Sequence, residues 1–77
     1  MDYKQILTDI ARAIVDSPDQ VSVKETEGAE AVILELTVAP DDMGKVIGKQ
    51  GRIAKSIRAV VKAATARNEK PVFVEIM

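Results

Sequence analysis

Cysteine, histidine and tryptophan are all missing from this chain of 77 residues. Without cysteine there are no disulfides, thiol nucleophiles or thiolate metal sites, and the usage fits a reducing compartment. Losing histidine as well removes the side chains from which most acid–base and nucleophilic constellations are built, and zinc loses its favoured ligands. No catalytic residue, metal site or cofactor is expected. No apolar run approaches the roughly 20 residues of a membrane span. Met1-Asp2-Tyr3-Lys4-Gln5 lacks the basic and apolar regions of a signal peptide. These absences predict a soluble cytoplasmic protein, complete from its initiator Met, whose single domain spans 1–77. A chain this short buries only about 60% of its unfolded surface, so its core must be economical.

What is present is unevenly distributed. The formal net charge is −1, yet residues 1–43 hold three basic residues against ten carboxylates. Residues 44–77 hold eight basic residues against Glu69 and Glu75 alone. Such asymmetry predicts one face that meets an anion.

The hydrophobic pattern divides the chain into six elements. Tyr3, Ile6, Leu7, Ile10, Ala11, Ile14 and Val15 form the i, i+3, i+4 stripe of an amphipathic helix. Asp2 and Gln5 make a capping-box pair at its start, and Ser17-Pro18 stops it. Residues 21–26 and 31–38 read as strands, joined through Gly28 as a hairpin. Val32, Leu34, Leu36 and Val38 share the inward face of the second strand. Pro40-Asp41-Asp42 opens a short helix that ends at Gly48; the two aspartates read as helix-start residues rather than metal ligands. A longer helix runs from Gly51 or Arg52 to about Arg67, with Asn68 as its cap and Ile53, Ile57, Val60, Val61 and Ala64 as its apolar stripe. Residues 71–76 close the chain as a strand, Val72, Val74 and Ile76 pointing inward. The order α-β-β-α-α-β implies an α+β sandwich, with helices on one face of a small sheet.

Between the last two helices lies Gly48-Lys49-Gln50-Gly51. Glycine at both ends permits positive φ and leaves no Cβ to hold a ligand away. The second helix presents unpaired N–H groups and a positive dipole end there. Lys49 and Arg52, with Lys45 and Lys55 a turn away on either side, supply charge suited to a phosphodiester backbone. From periodicity alone Val46, Ile53 and Ile57 belong to the core; Ile47 fits either core or groove, and Arg58 and Lys62 fit either a solvated face or the charged patch. A nucleotide-binding P-loop is excluded. Gly44 and Gly48 are separated by three residues rather than four, and Gln50 stands where that motif needs the Ser or Thr that holds Mg²⁺.

Val46-Ile47-Gly48-Lys49-Gln50-Gly51-Arg52-Ile53 resembles the signature V-I-G-x-x-G-x-x-I of the K homology (KH) domain, with the closing isoleucine one residue early at Ile53. The element order is similar to the type II form of that fold, a three-stranded sheet with three helices packed on one face. Length and motif placement resemble the small stand-alone bacterial KH proteins of the KhpA family. The resemblance implies single-stranded RNA as ligand, gripped by the sugar–phosphate backbone at Gly48, Lys49, Gln50 and Gly51. Gly44, Lys45, Arg52 and Lys55 extend that contact. Ile47 and Ile53 flank an apolar groove, with bases between the helices and the edge of the 31–38 strand. Only Tyr3 and Phe73 are aromatic and neither is near the loop in sequence, so weak, salt-sensitive binding is expected. Substituting both Gly48 and Gly51 by Asp is expected to abolish binding and leave the fold intact.

Two surfaces are candidates for self-association or a partner: Ile33 and Phe73, facing away from the helices, and Ala59 and Ala63 on the outer side of the last helix. The resemblance implies homodimers, or heterodimers with a larger KH-containing RNA-binding protein, acting in post-transcriptional regulation. A protein-interaction module with RNA binding secondary is the alternative.

Overall fold

A computed structural model describes residues 2–77. The elements are α1 (Tyr3–Ile14), β1 (Ser22–Glu27), β2 (Val32–Thr37), α2 (Met43–Ile47), α3 (Arg52–Ala64) and β3 (Val72–Ile76). The sheet order is β1-β2-β3, antiparallel between β1 and β2 and parallel between β2 and β3. The parallel pairing follows from the crossover: α2 and α3 carry the chain from the end of β2 back to the start of β3.

All three helices lie on one side of the sheet. Helix α1 rests on β1 and β2, α3 rests on β3, and α2 packs against α1 and α3. Leu7 and Ala11 of α1, Val32, Leu34 and Leu36 of β2, Val46 of α2, and Ile57 and Val61 of α3 meet in one buried cluster. The period-2 reading of β2 holds to its end, since Val38 is buried too.

Local differences from expectation have local causes. Asp2 caps α1 through Gln5 N (3.0 Å), but the Gln5 side chain turns forward to Asp9 (2.8 Å) and only half of the capping box forms. Pro40–Asp42 is a 3₁₀ turn, and the α-helix proper starts at Met43. Helix α3 stops at Ala64, three residues early. Thr65 is its C-cap, and its hydroxyl donates to the Val61 carbonyl (2.7 Å), competing with continuation of the helix. Asn68 is therefore not the cap. Ile53 and Val60 belong to the surface, at 38% and 48% exposure, while Ala54 takes the inward place. Strand 31–38 is the central strand and has no free edge; the open edge beside α3 belongs to β3.

Candidate nucleic-acid interface

The loop between α2 and α3 is built from unusual backbone. Gly48 has φ 75° and ψ 175°, a region open essentially to glycine alone. Gln50 (φ 58°) and Gly51 (φ 73°) are left-handed. Gly48 N–H closes α2 onto the Gly44 carbonyl (2.8 Å), and Gly51 N–H returns to the Gly48 carbonyl (3.2 Å). The turn that results is tight, and its inner side is backbone.

The two glycines differ in what surrounds them. A Cβ on Gly48 would lie 2.6–2.9 Å from the side chain of Ile53, including its Cβ at 2.8 Å, which cannot move without the helix. A Cβ on Gly51 or Gly44 would meet nothing within 4 Å. The early isoleucine of the signature thus has a structural role. Ala54 fills the core, and Ile53 turns out beneath Gly48 as the floor of the loop. The periodicity that put Ile53 in the core misplaced it by one residue.

The charged side chains separate into two groups. Lys45 donates to Asp16 and lies 3.6 Å from Asp42. Asp42 is only 2% exposed and accepts the backbone N–H groups of Asp16 (3.2 Å) and Ser17 (3.0 Å). Burial pushes the Asp42 carboxyl up, but those N–H groups and the Lys45 ammonium outweigh it and hold it below the usual carboxylate range. The Asp16 bond raises Lys45 above its ordinary value, against burial, with both carboxylates adding to it. Lys45 is thus committed to a clamp between the end of α1 and the start of α2. Nor does Asp42 cap its own helix. Sequence reading missed this, because the pairs span 25 and 26 residues; only the Asp42/Lys45 i, i+3 spacing hinted at it.

Among the described residues, salt bridges involve Lys45 and Lys70 and leave Lys49, Arg52, Lys55, Arg58 and Lys62 without a carboxylate. Arg52 is steadied by Gln50, whose Oε1 accepts from its guanidinium at 3.1 Å. No side chain caps α3 at Gly51, and the Gly51 and Arg52 N–H groups turn back to the Gly48 and Lys49 carbonyls. Gly51, Lys55, Arg58 and Lys62 recur at helical spacing on one face of α3. That face borders a groove of about 500 Å³ between Arg58, Lys62 and Ala66 and the β3 edge at Val72–Val74. Arg58 Nε donates to the Val74 carbonyl at 3.2 Å. Ile47, 39% exposed, stands beside the loop at the end of α2. Of the candidate residues, Gly44, Ile47, Gly48, Lys49, Gln50, Gly51, Arg52, Ile53 and Lys55 lie in or next to the α2–α3 turn, and Lys45 on α2 is ion-paired to Asp16 and Asp42. Arg58 and Lys62, which the sequence left open, line the groove further along α3.

The family described as "KhpA/KhpB, KH domain" matches residues 4–76. The RNA-binding protein KhpA of Clostridium acetobutylicum is 61% identical over 74 residues, covering 96% of this chain and 99% of that one. The RNA-binding protein KhpA of Clostridium perfringens is 58% identical over the same length, with the same coverage. That of Chlamydia trachomatis is 43% identical, with 96% and 95% covered. Among solved structures, Era of Aquifex aeolicus bound to GDP and aluminium fluoride superposes with a TM-score of 0.70 at 20% identity. The likeness covers 96% of this chain and 29% of Era. An Era complex with a nucleotide and a segment of 16S ribosomal RNA gives 0.66 at 21%, covering 96% and 28%. At these identities the Era likeness speaks to the fold.

Proposed function

The chain belongs to the KhpA/KhpB KH-domain family, and from that premise we propose that it binds single-stranded RNA by its backbone at Gly48-Lys49-Gln50-Gly51. One observation carries the reading. Lys49, Arg52 and Lys55 surround a bare-backbone turn and an uncapped helix start without a carboxylate partner, while Lys45 nearby is neutralised. Unpaired cations beside the positive end of a helix that no side chain caps suit a phosphate. The role is binding, not catalysis. Bases then lie along the Lys55–Arg58–Lys62 face of α3 toward the open edge of β3. This path replaces the one along strand 31–38.

The structure changes which substitution tests the reading. The Gly48→Asp change confounds binding with strain and with the Ile53 contact, so the double aspartate variant no longer leaves the fold intact. Gly51→Asp is the cleaner probe: its Cβ enters open space, so the left-handed backbone is the one strain it carries, and aspartate is among the residues that visit that region. Its circular dichroism spectrum should match that of the parent, and its affinity for a fluorescein-labelled single-stranded RNA should fall at least tenfold, on the order of the loss expected when a phosphate meets a carboxylate. Unchanged affinity in the folded variant would refute the reading.

A single unit grips about four nucleotides, so pairing raises avidity without new contacts. We place self-association, or association with a larger KH-containing protein, on the outer face of α3. Val60 is half exposed there and small Ala59 and Ala63 permit close helix approach. Post-transcriptional regulation is the process such an RNA-binding unit would serve.

A further inference from the structure

The side of the sheet that carries no helix is organised into rows by its register. One row is Thr26, Ile33 and Phe73; the next is Lys24, Glu35 and Glu75. Phe73, at the β3 edge, is 54% exposed and also borders the α3 groove, and Met77, one residue past β3, is 57% exposed. Glu35 and Glu75 stand directly opposite each other on neighbouring strands. Like charges so placed destabilise a sheet. Neither forms a salt bridge among the described residues, and Lys24 at the end of their row reaches neither. The patch therefore sets a carboxylate couple, with Lys24 as its one cationic neighbour in the row and no salt bridge, two residues along the same strand from an exposed aromatic ring.

We propose that this face docks a protein segment carrying arginine between apolar residues. A guanidinium stacks on Phe73 and offers a planar fork of donors to the two carboxylates, while its apolar neighbours cover Ile33. The charge of the patch selects among occupants. RNA is repelled by it. A second copy of the chain, meeting the patch with the same patch, brings only Lys24 as a cation against two glutamates. An arginine-bearing partner relieves the repulsion that the isolated sheet sustains.

The test uses the full chain, isotopically labelled, titrated with a capped hexapeptide of alternating leucine and arginine. Saturable amide shifts should centre on Ile33, Glu35, Phe73 and Glu75, and a leucine–glutamate hexapeptide should give none. The Glu35→Gln/Glu75→Gln variant should bind the arginine peptide more weakly by on the order of tenfold. Its Tm should equal or exceed that of the parent at low salt, since the like-charge pair is gone; Phe73→Ala should also weaken binding. The proposal fails if the shifts fall elsewhere, survive the double substitution, appear on diluting the free protein, or arise at Ile33, Glu35 and Glu75 with RNA instead. RNA titrated into a parallel sample reads residues 48–51 and the groove side of β3, Phe73 included, whereas Ile33, Glu35 and Glu75 report the helix-free face, so failure here is separate from failure of RNA binding.

Discussion

Asp42 ties the start of α2, and with it the loop, to the end of α1. Its carboxylate is buried, holds two backbone N–H groups from the end of α1 and faces Lys45, so it fixes where α2 begins. Because its folded pKa lies below its unfolded one, its contribution to stability is complete above the unfolded value of about 3.9. That contribution is lost as pH falls through the folded pKa. Lys45 is raised, so its contribution is present below about 10.4 and is lost as pH rises through its folded pKa. Denaturation monitored by circular dichroism should give a plateau near neutrality that falls in acid, and Asp42→Asn should lower the plateau and flatten its acid limb. An acid limb unchanged in Asp42→Asn would remove the clamp from the account. Local sequence hardly separates Asp42 from Asp41, since both lie about one turn before Lys45. The two differ in the backbone N–H groups after α1 and the lysine that the fold brings to Asp42.

At the scale of elements, α2, the loop and α3 work as one unit. Helix α2 is too short to be stable alone; packing of Val46 and the clamp hold it, and Gly48 ends it where Ile53 leaves no room for a side chain. Helix α3 then begins with three free cations within its first turn or just before it. If Lys49, Arg52 and Lys55 each neutralise a phosphate of a single strand, the slope of log affinity against log salt should become shallower by about 0.7 for each one changed to Gln. Lys45→Gln should leave that slope unchanged, since the clamp already neutralises this lysine. Titrations between low and moderate salt check both statements. The glycines, the cations and the two-helix context were legible in sequence because each is a local signal. The division of the cations into free and paired was not, since it depends on carboxylates far away in the chain.

For the molecule as a whole, the charge asymmetry between the two halves becomes a spatial division. Arg58 and Lys62 of α3 line the groove beside β3, with Glu69 as its one carboxylate, whereas β1 carries Glu25 and Glu27 and the open face of the sheet Glu35 and Glu75. The outer face of α3 is neither strongly basic nor fully polar. Val60→Glu with Ala63→Glu should therefore shift the protein toward monomer in sedimentation at micromolar concentration, and its circular dichroism should not change because neither residue is buried. If the parent is already monomeric, or the variant remains paired, association through α3 is wrong.

The sequence alone determined the element order, the inward faces of β2 and β3 and the place of the glycine turn. Periodicity and glycine are properties of neighbouring residues and survive without a fold. Only tertiary structure decided that strand 31–38 is central, that Ala54 rather than Ile53 enters the core, that Gly48 is the less replaceable glycine, and that Lys45 is spent on Asp16 and Asp42. Each of these depends on which segments meet across the chain. Helix phase, strand neighbours and ion partners are settled by packing, and packing has no period to read.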